Sequence, residues 1–331
     1  MVYRTTKDEE NVFVAQVEDT YIPFPMPTLS IKEISALGSV SFSETIAAIL
    51  NKFYSLGLTG WDIDCTIGRK ALKLEAMSHR MVIAELWHNL EASYDFIASE
   101  LHKKFCGSVT DVPADWFKLS THIAVLFGLY CELFNTAIIK LGDKVDISMT
   151  ADDFSVPLAA IYARQMGLPI GTIIVTTEND SGLWDLVHLG ELSASVANQN
   201  PEGYELLVHA LLGADAADEL RSAIQSNKAF LVDPELIDTF NQGLFCVVTG
   251  SDRSAQNINS TYRTNSYIFD PMTALSVGGL QDYRAKSGES RLSLVLSCIS
   301  PLNCIPEISH ATGISQDKLI ALLKNPPDRR Q

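Results

Sequence analysis

The 331-residue chain lacks several features that would have fixed its class early. Its six cysteines, Cys65, Cys106, Cys131, Cys246, Cys298 and Cys304, include no Cys-x-x-Cys pair. Most sit in apolar surroundings and read as small core residues, so no structural zinc site is expected. His88, His122, His209 and His310 are scattered, without metal-ligand spacing. There is no uninterrupted apolar run of about 18 residues, the length a bilayer demands, so no membrane partner is expected. There is no basic run either: 25 Lys and Arg stand against 40 Asp and Glu, a net charge of −15 that repels nucleic acid and anionic lipid. The opening MVYRTTKDEENV is polar and acidic, unlike a signal or transit peptide. These absences lead us to expect a soluble cytoplasmic protein. No repeat and no low-complexity segment is visible.

What is present is 47% hydrophobic content, enough for one large or two ordinary hydrophobic cores. FSETIAAILNKFYSLG, 42–57, has the spacing of an amphipathic helix, with Ser43 as candidate N-cap. MVIAELW, 81–87, suits a buried strand, and helical spacing returns over 92–105. A long buried helix is predicted over 116–142, stopped by Gly142. A strand at 144–150, a helix at 156–166 ending before Gly167 and a β-branched strand at 170–176 follow. Further helices are expected at 202–212, 214–227, 233–241 and 272–285, then a strand at 291–298 and a last helix. Alternating strands and helices predict an α/β fold. Gly278-Gly279 and Ser181-Gly182 read as turns or close packing rather than phosphate loops.

One segment is specific enough to suggest a family. FSVPLAAIYARQMGLPIGTIIVTTENDSGL, 154–183, resembles the core of threonine synthases, pyridoxal-phosphate enzymes of fold type II; YARQMGLPI and TEND are the cues. MVYRTT, ELWH, DWFK, YELLVHALLGADAADELRSAI, TNSYIFDPMTALSVGGLQDY and VLSCISPLNCIPE resemble further family segments in the same order. The resemblance implies a mixed, mainly parallel sheet flanked by helices. It also implies a threonine-synthase-like N-terminal region over 1–80 and a pyridoxal-phosphate-enzyme-like α/β domain over 81–331.

The resemblance also marks departures. The family's E-L-F-H-G-P-T-x-A-F-K-D carries the cofactor on its lysine. Aligned on ELWHNLEASYDF, the lysine position is Asp95, and a carboxylate forms no Schiff base. Lys103 and Lys104 lie roughly 12 Å further along a helix. The family's phosphate loop T-G-N-F-G reads Ala151, Asp152, Asp153, Phe154 and Ser155, and the two acids oppose a phosphate. Asp at a helix start has an ordinary capping role too. Cys298 stands where the family's threonine faces the pyridine nitrogen, and Ser300 replaces a histidine. Asp8 replaces a glycine near the N-terminus. The family's small mobile domain, with its S-G-D-T-G motif, falls where this chain has only KKFCGSVTDVPA, 103–114.

Together these departures imply a catalytically inactive, threonine-synthase-like pseudoenzyme with a binding or regulatory role. No catalytic residue, bound cofactor or metal is expected. The alternative is a divergent pyridoxal-phosphate-dependent lyase acting on O-phosphohomoserine or a related amino acid. A missing domain exposes surface, so a homodimer or dedicated protein partner is expected, with Trp87, Trp116, Phe117 and Phe127 flanking the gap.

Overall fold

The computed structural model describes residues 2–5, 11–12, 21–54, 56–67, 72–87, 94–106, 114–151, 154–178 and 182–325. Three N-terminal strands, β1 (Val2–Thr5), β2 (Asn11–Val12) and β3 (Tyr21–Phe24), form an antiparallel sheet in the order β2-β1-β3. Helices α1 (Ile31–Leu37), α2 (Phe42–Phe53) and α3 (Gly60–Ile67) lead to strands β4 (Lys73–Ser78) and β5 (Met81–Glu85). Next come α4 (Tyr94–Cys106), α5 (Ala114–Asn135), β6 (Val145–Thr150), α6 (Ser155–Gln165), β7 (Ile170–Thr177) and α7 (Gly182–Leu189). A peripheral stretch holds β8 (Glu191–Leu192), α8 (Ala194–Ala197), α9 (Pro201–Leu212), α10 (Ala214–Gln225), β9 (Phe230–Leu231) and α11 (Ile237–Phe240). The chain then returns through β10 (Leu244–Val248), α12 (Ser251–Asn265), α13 (Pro271–Ser287), β11 (Ser293–Ser297), α14 (Ile305–Thr312) and α15 (Gln316–Lys324).

The central sheet has six strands in the order β10-β7-β6-β11-β5-β4; β4 is an antiparallel edge and the other five run parallel. Both faces are covered. Side chains alternate along a strand, so Val82 and Ala84 enter one hydrophobic cluster and Ile83 the other. Leu294 and Leu296 oppose Val295 in the same way, as Ile173 and Val175 oppose Ile174. The first cluster joins α2, α5, α6 and α9, and the second joins α12 to α15. β4, before residue 80, pairs with β5, after it, and the first cluster holds residues from both sides of that point.

The mixed, mainly parallel sheet between helices is the α/β architecture the sequence predicts. Several boundaries move. The N-cap of α2 is Ser41, not Ser43: Ser41 accepts from Glu44 N while the Glu44 carboxylate accepts from Ser41 N, a capping box. Ser43 is buried and donates to Asp64 instead. α5 stops at Asn135, well short of Gly142, because Ala137 turns left-handed at φ 56° and Ile138 N and Ile139 N fold back onto Leu133 O. The helix expected over 92–105 is α4, Tyr94–Cys106, so it takes in the first residues of 103–114, and the helix expected over 233–241 is only α11. Polar elements were not foreseen: β4, an edge strand of exposed and half-buried residues, and α12.

α5 is the one described helix long and apolar enough to span a bilayer, yet 83% of its apolar window is buried inside the fold. Gly167 ends the turn after α6 at φ 105°, as expected, against the Leu29 carbonyl. Gly278 and Gly279 let α13 lie close on the sheet. A Cβ on Gly279 would collide with Thr176 Oγ1 of β7 and meet Val247 Cγ1 at 2.9 Å. Gly279→Ala is therefore expected to cost about 1–3 kcal/mol in chemical denaturation, as overpacking does, with part of the loss recovered when Thr176→Ala accompanies it.

Candidate functional site

Ligands of open parallel sheets bind outside the carboxyl ends of the strands. At that edge β5, β11 and β6 are neighbours, about 4.8 Å apart strand to strand. The chain leaves each of them into one of the three family-marked segments. β5 leads to α4, whose second residue is Asp95; the Asp95 side chain and His88 lie outside the described residues. β6 leads to Ala151 and then to α6, and Cys298 follows β11 directly. The fold thus brings the starts of the three segments to one edge.

Their chemistry is plain where it is described. Asp152 and Asp153 lie outside the described residues. The N-cap of α6 is Phe154, already helical at φ −60° and ψ −20°, with no side-chain cap. The Phe154 ring packs edge-on against Tyr204, centroids 4.7 Å apart. Ser155 Oγ lies 3.2 Å from His122 Nδ1, and His122 is buried. Cys298 is half-buried against the first hydrophobic cluster. Ser300 caps the 3-10 turn Pro301–Cys304 by accepting from Leu302 N. Among the described residues no three His, Cys, Asp or Glu side chains gather as a metal site.

The most developed polar cluster at this edge was not singled out from sequence. Glu85 ends β5, and its Oε1 accepts from Tyr267 Oη at 2.6 Å. Lys73 Nζ stands 3.5 Å from Glu85 Oε2 and is in close contact with Glu75. Ser297 ends β11; its hydroxyl accepts from Trp87 Nε1 at 3.1 Å and donates to Asp270 Oδ2 at 3.2 Å. The fully buried Asp270 carboxylate also caps α13, accepting from Met272 N and Thr273 N at 3.0 Å each and from the Thr273 hydroxyl. These groups tie the ends of β5 and β11 to the start of α13. The signal was available: Glu85 stands in ELWH, Ser297 in VLSC, and Tyr267, Asp270 and Thr273 in TNSYIFDPMTA. Each is a polar residue inside an apolar stretch, where burial demands a hydrogen-bond partner.

Burial sets the electrostatics. It pushes the Glu85 carboxyl up, against the opposing pull of the Tyr267 hydroxyl and the Lys73 ammonium. It pushes Asp270 up against its four donated hydrogen bonds, and holds the Tyr267 phenol well above its usual range, helped by the Glu85 charge. The hydrophobic residues expected to edge a gap do not form an exposed patch. Trp116, Phe117 and Phe127 are 3% exposed or less, inside the first cluster, and Trp87 is partly buried. The covering comes from the chain itself: Phe53 and Tyr162 pack edge-on against Trp116, and Tyr54 stacks on Phe117.

The fold is that of the threonine synthases. The pyridoxal-phosphate-bound threonine synthase of Brucella melitensis superposes with a TM-score of 0.77 at 15% identity, covering 98% of this chain and 94% of that one. Yeast threonine synthase gives 0.75 at 16% identity, again with 98% and 94% covered. In sequence the chain is similar to the proteins named Threonine synthase-like 1. The human protein is 26% identical over 175 residues, 49% of this chain and 24% of that protein, and the mouse protein 25% identical over 215 residues. The match thus spans about a quarter of the human relative's length. No protein-family model matches the chain.

Glu85 offers a pH test of the cluster. Its folded-state pKa lies above the ordinary 4.5, so the folded protein holds this proton more tightly than the unfolded chain does. The resulting stability is complete below the ordinary value and is lost as pH rises through the folded one. Glu85→Gln does not titrate, and its amide oxygen still accepts from Tyr267. Between about pH 4 and pH 8, the melting temperature of the parent should fall relative to that of Glu85→Gln. A constant difference would contradict the burial effect.

Proposed function

We propose that this threonine-synthase-like protein is a pseudoenzyme, its fold used as a binding or regulatory body rather than for pyridoxal-phosphate chemistry. The observation that carries the reading is Asp95, at the start of α4, in the position the resemblance assigns to the cofactor lysine. A carboxylate supplies no amine for the covalent link and sets a negative charge where an anionic cofactor would bind. The second segment supports the reading. Ahead of α6, two acids stand in place of Gly-Asn and Ser155 in place of the loop's last glycine, while Phe154 matches the family's own residue. Cys298, packed on apolar neighbours, is a poorer partner for a pyridine nitrogen than a threonine hydroxyl. This donor set does not fit pyridoxal phosphate. Seven residues, 107–113, join α4 to α5 where the family inserts its mobile domain, too few to enclose a substrate.

The rival reading, a divergent lyase acting on O-phosphohomoserine or a related amino acid, needs a lysine elsewhere. One observation favours it. Lys73 reaches the same sheet edge and lines a cavity there, although its ammonium is engaged by Glu75 and Glu85.

The scaffold can be tested by returning the missing groups. Asp95→Lys with Asp152→Gly and Asp153→Asn replaces three carboxylates by one amine and two neutral groups. The triple variant, incubated with pyridoxal phosphate, should gain absorbance at roughly 410–430 nm over the parent and form no threonine. Threonine formation by the parent would overturn the pseudoenzyme reading. A variant without that absorbance would show that the cleft no longer accepts the cofactor.

A further inference from the structure

We propose that the cavity between β4, β5 and the C-terminal end of α12 is a binding site for a small organic cation, an alkylammonium ion. The cavity measures about 120 Å³. That is slightly less than the ~150 Å³ hole that holds a benzene ring, so its occupant has about five non-hydrogen atoms.

Three features of the lining select a positive charge. The first is Glu85, whose carboxylate forms part of the wall with its side chain only 7% exposed. The Tyr267 hydroxyl holds Oε1, and Oε2 is turned to the Lys73 ammonium. The second is α12. Tyr262 of its last turn and its left-handed C-cap Ser266 line the cavity, so the negative end of a 15-residue helix dipole lies at this wall. The third is aromatic. Trp87, Tyr262 and Tyr267 contribute to the lining, and aromatic rings attract cations through their faces. Ile268, Leu322 and Leu323 supply the apolar remainder, suited to a short alkyl chain.

The structure already shows this preference at work. The group that meets Glu85 is itself an alkylammonium, the end of Lys73. It sits 3.5 Å from Glu85 Oε2, at the long end of an ion pair, while making its close contact with Glu75. Lys73 opens an edge strand and its side chain is 47% exposed. It can therefore settle on Glu75 alone and leave Glu85 to an incoming cation. An anion would instead face a carboxylate and a helix C-terminus. Arg263, in the same last turn of α12, is exposed and does not line the cavity. The inference involves neither Asp95 nor the α6 loop; it shares Lys73 with the rival reading and assumes that this ammonium carries no cofactor.

Competition between the tethered and the free ammonium gives the test. Isobutylammonium, isobutanol and isobutyrate have nearly one shape and three charges. Calorimetry and ligand-observed NMR on the full chain should show isobutylammonium binding at least about tenfold more tightly than either companion, the scale of one charge-assisted hydrogen bond with ring contacts. Lys73→Met removes the resident competitor and should tighten that binding, whereas Glu85→Gln should weaken it by about tenfold. The proposal is overturned if Lys73→Met weakens isobutylammonium binding. It is equally overturned if isobutyrate or isobutanol binds as well as the cation, or if a Lys73→Met protein with parental circular dichroism and melting binds none of the three. Lys73 is an exposed edge residue, so this variant tests the idea even if Glu85→Gln fails to fold.

Discussion

The burial of five parallel strands on both faces is the constraint from which the rest of this structure follows. A sheet covered on both sides leaves only its ends accessible, so any ligand must approach where the strands stop. Here those ends carry polar side chains, Glu85 on β5 and Ser297 on β11, in a region otherwise closed by two hydrophobic clusters. Each buried polar group must be met by a partner, which recruits Tyr267, Trp87, Thr273 and the capping carboxylate Asp270. The network joins the start of α13 to the edge of the sheet and sets the shape of what lies around it.

Support for the edge and chemistry at the edge are different demands, and this chain meets them unequally. Asp270 keeps its α13 cap and its hydroxyl partners, so the mouth of the sheet is built to a fixed geometry. The three segments that leave β5, β6 and β11 carry instead a carboxylate, an acidic loop, and a thiol packed on apolar neighbours. The edge is organised; in the proposed reading its groups are not those that would hold a covalently bound anionic cofactor.

Strong local patterns made much of this legible in the sequence. The β-branched run IGTIIVT is β7, the Gly167 stop falls at the end of α6, and the helix expected over 272–285 is α13. Those elements state their own boundaries through turn chemistry and burial. The end of α5 was missed because Ala137 adopts a left-handed conformation usually left to glycine or asparagine, so nothing in the composition announces it. β4 was missed because KLEAMS is half polar, and its pairing with β5 is a tertiary fact. At the site, Asp95, the acidic loop and Cys298 were readable as departures from a motif. Glu85, Lys73 and Tyr262 were not readable as a group, since they come from β5, β4 and α12 and meet only across the folded edge.

The central claim is that no lysine of this chain holds pyridoxal phosphate. The most direct measurement is peptide mapping by mass spectrometry after the purified parent protein is incubated with the cofactor and reduced with borohydride. The account predicts no lysine labelled beyond the scattered, substoichiometric modification that an unfolded control also shows. One lysine carrying a pyridoxyl group at close to one per chain, Lys73 included, would contradict it.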